Sequence, residues 1–241
     1  MLGGFAGKAA IVTGGASGIG AAVAELLRAR GAEVLVADLD GDAAAALAAR
    51  LGARSIACDV ADEGRVVACF EALAAAAGRV DMVVNNAGAM RFGPLAATTP
   101  ADWLRVLETN LLGAALFTKH ALTRLREGGA IVNVASVHAV ATTADVAPYA
   151  AAKAGLLSLT RSAAIEGRPR RIRANAVLPG AIDTPMLWRN PNVASGAERL
   201  EAGSVGRPAD VAEAVAFLAS DAACFVNGAS LVVDGGRLAA L

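Results

Sequence analysis

The chain has little of what most often announces a function. It holds two histidines, three cysteines, one tyrosine and three lysines, and aromatic residues make up 4% of its length. The cysteines, Cys58, Cys69 and Cys224, are odd in number, sit among apolar neighbours, and lack the close spacing of a metal site or disulfide framework. They read as buried, reduced thiols, and no metal is expected. Net charge is also missing: 22 basic and 22 acidic residues leave no overall field to attract nucleic acid or an anionic membrane. No uncharged apolar run reaches membrane-spanning length, and the segment from Met1 to Lys8 has neither the basic start nor the apolar stretch of a secretory signal. The expectation is a soluble, cytoplasmic protein whose partner is a small molecule.

What is present is apolar and periodic. Hydrophobic residues make up 56% of 241, enough for one large domain, expected over residues 1–241, whose core is covered on both sides. Short β-rich apolar runs alternate with longer Ala/Leu/Arg-rich stretches of helical period, the pattern of βαβ units stacked into a parallel sheet. Strands are predicted near Ala9 to Thr13, Glu33 to Asp38, Ser55 to Cys58, Met82 to Asn85, Ala130 to Ala135, Arg173 to Val177 and Ser230 to Val233. Helices are predicted near Ile19 to Ala29, Asp42 to Arg50, Glu63 to Ala76, Pro100 to Leu125, Pro148 to Ile165 and Pro208 to Leu218. Several strands are continuously apolar rather than alternating, so helices should cover both faces of a doubly wound, seven-stranded α/β sheet. From Ala181 to Gly206 the periodicity fails and Pro185, Pro191, Gly196 and Gly203 interrupt it, which predicts a loop or short-helix excursion.

Two constellations carry chemistry. Thr13 to Gly20 closes the first strand and opens the first helix, with Gly14, Gly18 and Gly20 at the informative positions and Ser17 and Ile19 between them. Glycine there allows a tight turn, close approach of backbone to a pyrophosphate, and close helix-to-strand packing. Asp38 ends the second strand 18 residues beyond Gly20, where a dinucleotide fingerprint places an acid for the adenosine ribose hydroxyls. That carboxylate repels a 2′-phosphate, and neither Ser17 nor Leu39 supplies a compensating base. NAD is therefore the expected cofactor, in preference to NADP.

In the second, Tyr149 and Lys153 stand four residues apart, on one helix face and one turn from each other. An unperturbed phenol, with a pKa of about 10, is a poor base at neutral pH. A lysine cation within a few ångströms stabilises its phenolate. The spacing alone also fits an exposed tyrosine beside a solubilising lysine.

At this point the chain resembles the classical short-chain dehydrogenase/reductase family from about Lys8 to Gly236. The motifs are Thr13 to Gly20, Asp59 with Val60, Asn85 to Gly88, Asn110, Ser136, Tyr149 to Lys153, Pro179 and Gly180 with Thr184, and Val233 to Gly236. The resemblance implies a Rossmann fold. It also implies that Asp59 and Val60 flank the adenine, that Asn86, Ala87 and Gly88 line the cofactor groove, and that Pro179, Gly180, Ile182 and Thr184 lie at the nicotinamide end. Tyr149 would be the general acid/base, Ser136 would hold the substrate oxygen, and Lys153 would lower the tyrosine pKa and bind the nicotinamide ribose. Asn110 would hold a water that passes protons from Lys153. The implied reaction is hydride transfer between nicotinamide and a carbinol carbon.

Substrate choice is expected to reside in Ala89 to Phe92, Val137 to Val146 and the excursion, with Met90, His138, Met186 and Trp188 as pocket residues. These segments favour a small or medium secondary alcohol or ketone, cyclic or hydroxylated. Arg91 and Arg189 are either solvated or set to meet an anionic group. A 3-oxoacyl thioester reductase and a catalytically idle NAD-binding or assembly module are the alternatives. The family resemblance implies a homo-oligomer, dimer or tetramer, to which the apolar Arg237 to Leu241 end is suited.

Overall fold

The computed structural model describes residues 4–196, 200 and 203–240. Its centre is a seven-stranded sheet of order β3-β2-β1-β4-β5-β6-β7, parallel throughout. The strands are β1 (Ala9–Thr13), β2 (Glu33–Asp38), β3 (Arg54–Ala57), β4 (Met82–Asn85), β5 (Ala130–Val134), β6 (Arg173–Pro179) and β7 (Ser230–Val233). The apolar runs of β1, β4 and β5 are buried along their whole length, as expected of strands covered on both faces. Only the edge strands β3 and β7 expose their side chains substantially.

The covering helices are α1 (Gly18–Ala29), α2 (Gly41–Leu51), α3 (Glu63–Ala77), α4 (Pro100–Leu107), α5 (Gly113–Arg124), α6 (Ala147–Glu166), the short α7 (Pro185–Trp188) and α8 (Pro191–Ala194), and α9 (Pro208–Ala219). Their boundaries follow local chemistry. Asp62 caps α3 by accepting from the Gly64 and Arg65 amides, and Thr99 and Asp102 form a reciprocal capping box at α4, with Pro100 in its first turn. Gly52 and Gly78 end α2 and α3 in the left-handed region, with φ of 59° and 70°.

Two layers of core sandwich the sheet. On one side Val12, Val34, Val84 and Val132 meet Leu27 of α1 and Val215 of α9; on the other Ile11, Leu35 and Val83 meet Phe70 of α3 and Phe117 of α5. Each fully buried side chain of this kind contributes roughly 1.5–3 kcal/mol. The strand order reverses direction between β1 and β4, which opens a crevice at their C-terminal ends.

Two expectations need correction. The single helix predicted over Pro100 to Leu125 is divided by a π-helical turn at Glu108–Leu112. Asn110 causes the widening: its side-chain amide donates to Val106 O (2.9 Å) and to Ala89 O (2.8 Å), tying the turn to the segment after β4. Cys224 is exposed, because it follows the short 3-10 turn Asp221–Ala223 on the surface; Cys58 and Cys69 are buried. The excursion contains α7 and α8, each opened by its proline, and is tied back by a parallel bridge between Ile182 and Gly206. Residues 197–199, 201–202 and Leu241 lie outside the described residues. Among those described, no helix is long and apolar enough to cross a membrane.

Candidate active site

Around the crevice is a cavity of about 640 Å³, within the usual range for small-molecule sites. Its first wall is the turn after β1. Thr13 Oγ1 accepts from the Asn86 and Ala87 amides (3.0 and 3.1 Å), while Asn86 Nδ2 donates back to Thr13 O and Gly14 O (3.0 and 2.9 Å). These four bonds staple the turn to the end of β4. Gly14 has φ of +58°, and a Cβ there would lie 2.7 Å from Ala87 Cα, so only glycine fits. Ser17 precedes α1 without using its hydroxyl as a cap, and it lines the cavity with Gly18 and Ile19. The N-terminal turn of α1 thus faces open space, the setting that suits an anionic group. Gly20 sits behind this wall and lets the helix start against the Gly14 carbonyl.

Asp38 lies on the neighbouring wall with Leu39, Asp59 and Val60. The Ala16 and Asp40 amides donate to its two oxygens (2.9 and 3.1 Å), which fixes the carboxylate while leaving each oxygen a further lone pair for a hydroxyl. The glycine cradle, the helix N-terminus and the anchored acid are the donor set a dinucleotide requires, so the chain's own residues fit such a cofactor.

Deeper in, β5 delivers Ser136 and α6 delivers Tyr149 and Lys153; all three are buried and line the cavity. The Lys153 ammonium donates to Val134 O (2.8 Å) and lies 5.5 Å from the centre of the Tyr149 ring. Burial pushes the phenol up to about 12, a shift that the hydrogen bond with Ser136 opposes. Burial also pushes Lys153 down to about 8. Asn110 does not line the cavity. It is buried behind Gly88, and its Oδ1 is without a hydrogen-bond partner. A Cβ at Gly88 would lie 2.9 Å from that oxygen and 3.7 Å from Lys153 Nζ, so both atoms converge on one point.

The buried lysine has a consequence for stability. A fall from 10.5 to about 8 corresponds to roughly 3 kcal/mol of unfavourable burial while the group is charged. Below pH 8 the folded chain bears that cost in full. Between about 8 and 10.5 only the unfolded chain keeps the proton, so stability rises with pH, and above 10.5 the cost is gone. Lys153→Met, which also forfeits about 1 kcal/mol for the bond to Val134, is expected to gain about 2 kcal/mol at pH 7. The melting temperature should rise by several degrees there, and the gain should shrink over the 8–10.5 window. A lower melting temperature at pH 7 would contradict this reading.

The remaining walls are the segments on which substrate choice was expected to depend, and they are tied together. The Gly93 amide donates to Asp145 O (2.9 Å), and Asn192 Nδ2 donates to Ala144 O (3.3 Å). Met90, His138 and Met186 line the cavity, with His138 edge-on to Tyr149 at 6.0 Å between ring centres. Trp188 does not line it: its indole N–H donates to Asp183 Oδ1 (2.7 Å), which holds the ring at the surface. Arg91 is likewise turned away, its Nε paired with Asp102 at 2.8 Å. Pro179, Gly180, Ile182 and Thr184 also line the cavity. Arg105, Thr109, Asn190 and Arg237, none of them named as a pocket residue by the sequence reading, also line the cavity, Asn190 from within the excursion. Only Thr109 carried a signal, standing next to Asn110 and one helical turn after Arg105.

Comparison with known proteins identifies this arrangement. A family model described as enoyl-(acyl carrier protein) reductase matches residues 14–237. A cis-4-hydroxycyclohexanecarboxylate dehydrogenase of Sinomonas cyclohexanicum is 47% identical over 244 residues, covering 98% of each chain. The chain belongs to the short-chain dehydrogenase/reductase family. A D-threitol dehydrogenase of Mycolicibacterium smegmatis is another member, 40% identical over 240 residues, covering 95% of this chain and 92% of that one. The crystal structure of levodione reductase superposes with a TM-score of 0.91 at 35% identity, covering 98% of this chain and all of the other. As a short-chain dehydrogenase/reductase, the protein is an oxidoreductase of the alcohol dehydrogenase type that works with a nicotinamide cofactor.

Proposed function

We propose that this enzyme uses NAD to interconvert a small or medium secondary alcohol, cyclic or hydroxylated, and its ketone. The observation that carries the proposal is the buried line of Ser136, Tyr149 and Lys153 at the inner end of a cavity whose outer end holds the glycine turn and Asp38. The relatives named for a hydroxycyclohexane acid and for threitol support the reaction class, since both named compounds carry a secondary hydroxyl, threitol beside primary ones.

The nicotinamide supplies the hydride acceptor in oxidation and the donor in reduction. Ser136 holds the substrate oxygen by hydrogen bond beside the Tyr149 hydroxyl, which fixes the carbinol for proton transfer. Tyr149 accepts the hydroxyl proton in oxidation and donates it in reduction. Its position at about 12 suits it as the acid; as the base it would depend on the Lys153 ammonium, 5.5 Å from its ring centre, to stabilise the phenolate. Asn110 completes the set. Its unpartnered carbonyl beside Lys153 supports a water-bridged route by which the ammonium exchanges its proton.

Asp38 supports NAD over NADP. A 2′-phosphate would bring a second negative group against a carboxylate already held by two amides. Asp38→Ala should narrow the preference for NAD by roughly one to two orders of magnitude, read from paired NAD and NADP titrations. Unchanged selectivity would remove the assigned role. Exposed Leu104, Leu112 and Ile165 on the α4 to α6 side, with Leu231 and Val232 on edge strand β7, support a homo-oligomer, dimer or tetramer. The test of the activity is an alcohol and ketone panel followed at the NADH absorbance. Absence of NAD-dependent turnover across cyclic, acyclic and polyhydroxylated secondary alcohols would overturn the proposal.

A further inference from the structure

Charge in the cavity is unbalanced: among the described residues its lining has four basic side chains, Arg105, Lys153, Arg189 and Arg237, and two carboxylates, Asp38 and Asp59. Asp38 is held at the glycine turn by the Ala16 amide. The segment after β6 starts with Thr184 against Gly18 and continues along the cavity through Met186 and Leu187 to Arg189. Arg189 is exposed, and among the described residues its guanidinium has no ion-pair partner. Asp183, the closest acid in sequence, accepts from the Trp188 indole at 2.7 Å and forms no ion pair with Arg189. Arg91, the other arginine of the substrate segments, is held by Asp102. Arg189 therefore brings an unmatched guanidinium to a cavity that it lines together with apolar Met90, Met186 and Leu187.

We propose that Arg189 recognises a carboxylate on the substrate, so that the secondary alcohols oxidised here are hydroxy acids whose acid group lies across an apolar frame from the carbinol carbon. This rests on the secondary-alcohol reading above and names the substrate class within it. The planar fork of a guanidinium meets a carboxylate through two parallel hydrogen bonds, which a neutral amide cannot reproduce with both donors satisfied. Met90, Met186 and Leu187, which line the same cavity, accommodate the hydrocarbon between the two polar ends.

The test separates recognition from chemistry. NADH-loaded enzyme is titrated calorimetrically with cyclohexanecarboxylate and with cyclohexanecarboxamide, neither of which has a hydroxyl to oxidise. The wild type is expected to bind the carboxylate roughly ten- to hundredfold more tightly than the amide. Arg189→Gln should abolish the difference, with a larger loss for the carboxylate than for the amide, and Arg189→Lys should retain part of it. Equal affinity for the two ligands in the wild type, or a preference that survives in Arg189→Gln, would overturn the assignment. Turnover of neutral cyclic alcohols reports independently on the underlying activity. If they are oxidised without any carboxylate preference, the assignment of Arg189 alone fails; if no secondary alcohol is oxidised, the activity fails first.

Discussion

Tyr149→Phe is expected to lower turnover by roughly 10²- to 10⁴-fold while NADH binding is retained. The substitution removes one oxygen and keeps the ring. That ring is buried against Val106 and Ala152, with Met90 and Leu111 beside them, and it stays edge-on to His138. None of these contacts involves the hydroxyl, so the helix should hold its place and present Lys153 as before. What disappears is the atom that exchanges a proton with the substrate oxygen, together with its bond to Ser136. Steady-state rates at the NADH absorbance and a fluorescence titration with NADH separate the two quantities. Turnover surviving near the wild-type level would sink the assignment of Tyr149, and loss of NADH binding alongside turnover would mean that the ring had moved.

Gly20→Ala should damage the fold and the cofactor site together. A Cβ at this position would lie 2.1 Å from the Gly14 carbonyl oxygen and 2.5 Å from Asn86 Nδ2. The first neighbour is backbone, and the second is bound to two carbonyls of the turn, so neither can rotate out of the way. Either α1 retreats from β1 or the turn opens. Overpacking of this kind costs about 1–3 kcal/mol, and for a chain of this size each kcal/mol lowers the melting temperature by roughly 2–4 °C. Opening the turn also breaks the Asn86 staple, so dinucleotide affinity should fall at least tenfold in an equilibrium titration. Gly4→Ala is the control, since its Cβ would meet only the Arg30 carbonyl at an ordinary 3.7 Å. Equal behaviour of the two variants would show that the close approach at Gly20 is not restrictive.

Much of this was legible in the chain because the physics involved is local or repetitive. Continuously apolar strands have one stable setting, inside a sheet covered on both faces, and all seven were placed within two residues of their ends. Tyr149 and Lys153 were readable as a pair because one helical turn brings them together whatever surrounds them. The features that escaped depend on partners distant in sequence. Glu108 to Leu112 is made of residues that fit an ordinary helix; the widened turn exists because Asn110 reaches Ala89, 21 residues earlier. Trp188 had the character of a pocket residue, but an indole N–H needs an acceptor, and Asp183 offered one at the surface. Asn190 and Arg237 belong to no motif and reach the cavity only through the path of the chain after β6 and β7. Ser136 is intermediate: nothing in its neighbours marks it, and it was found by its distance from Tyr149 within a family pattern.

The widened turn around Asn110 has a mechanical meaning as well as a chemical one. From Pro100 to Arg124 the chain runs as one helical rod, and a rod transmits force along its length. A π turn is where such a rod bends. Here it separates α5, anchored in the core through Phe117 and Ala121, from α4, whose side chains pack around the tyrosine and whose first turn holds Arg91. The π turn therefore lets the half of the rod nearest the substrate follow the tyrosine while the other half follows the core, and the residue at the junction is the one that faces the lysine.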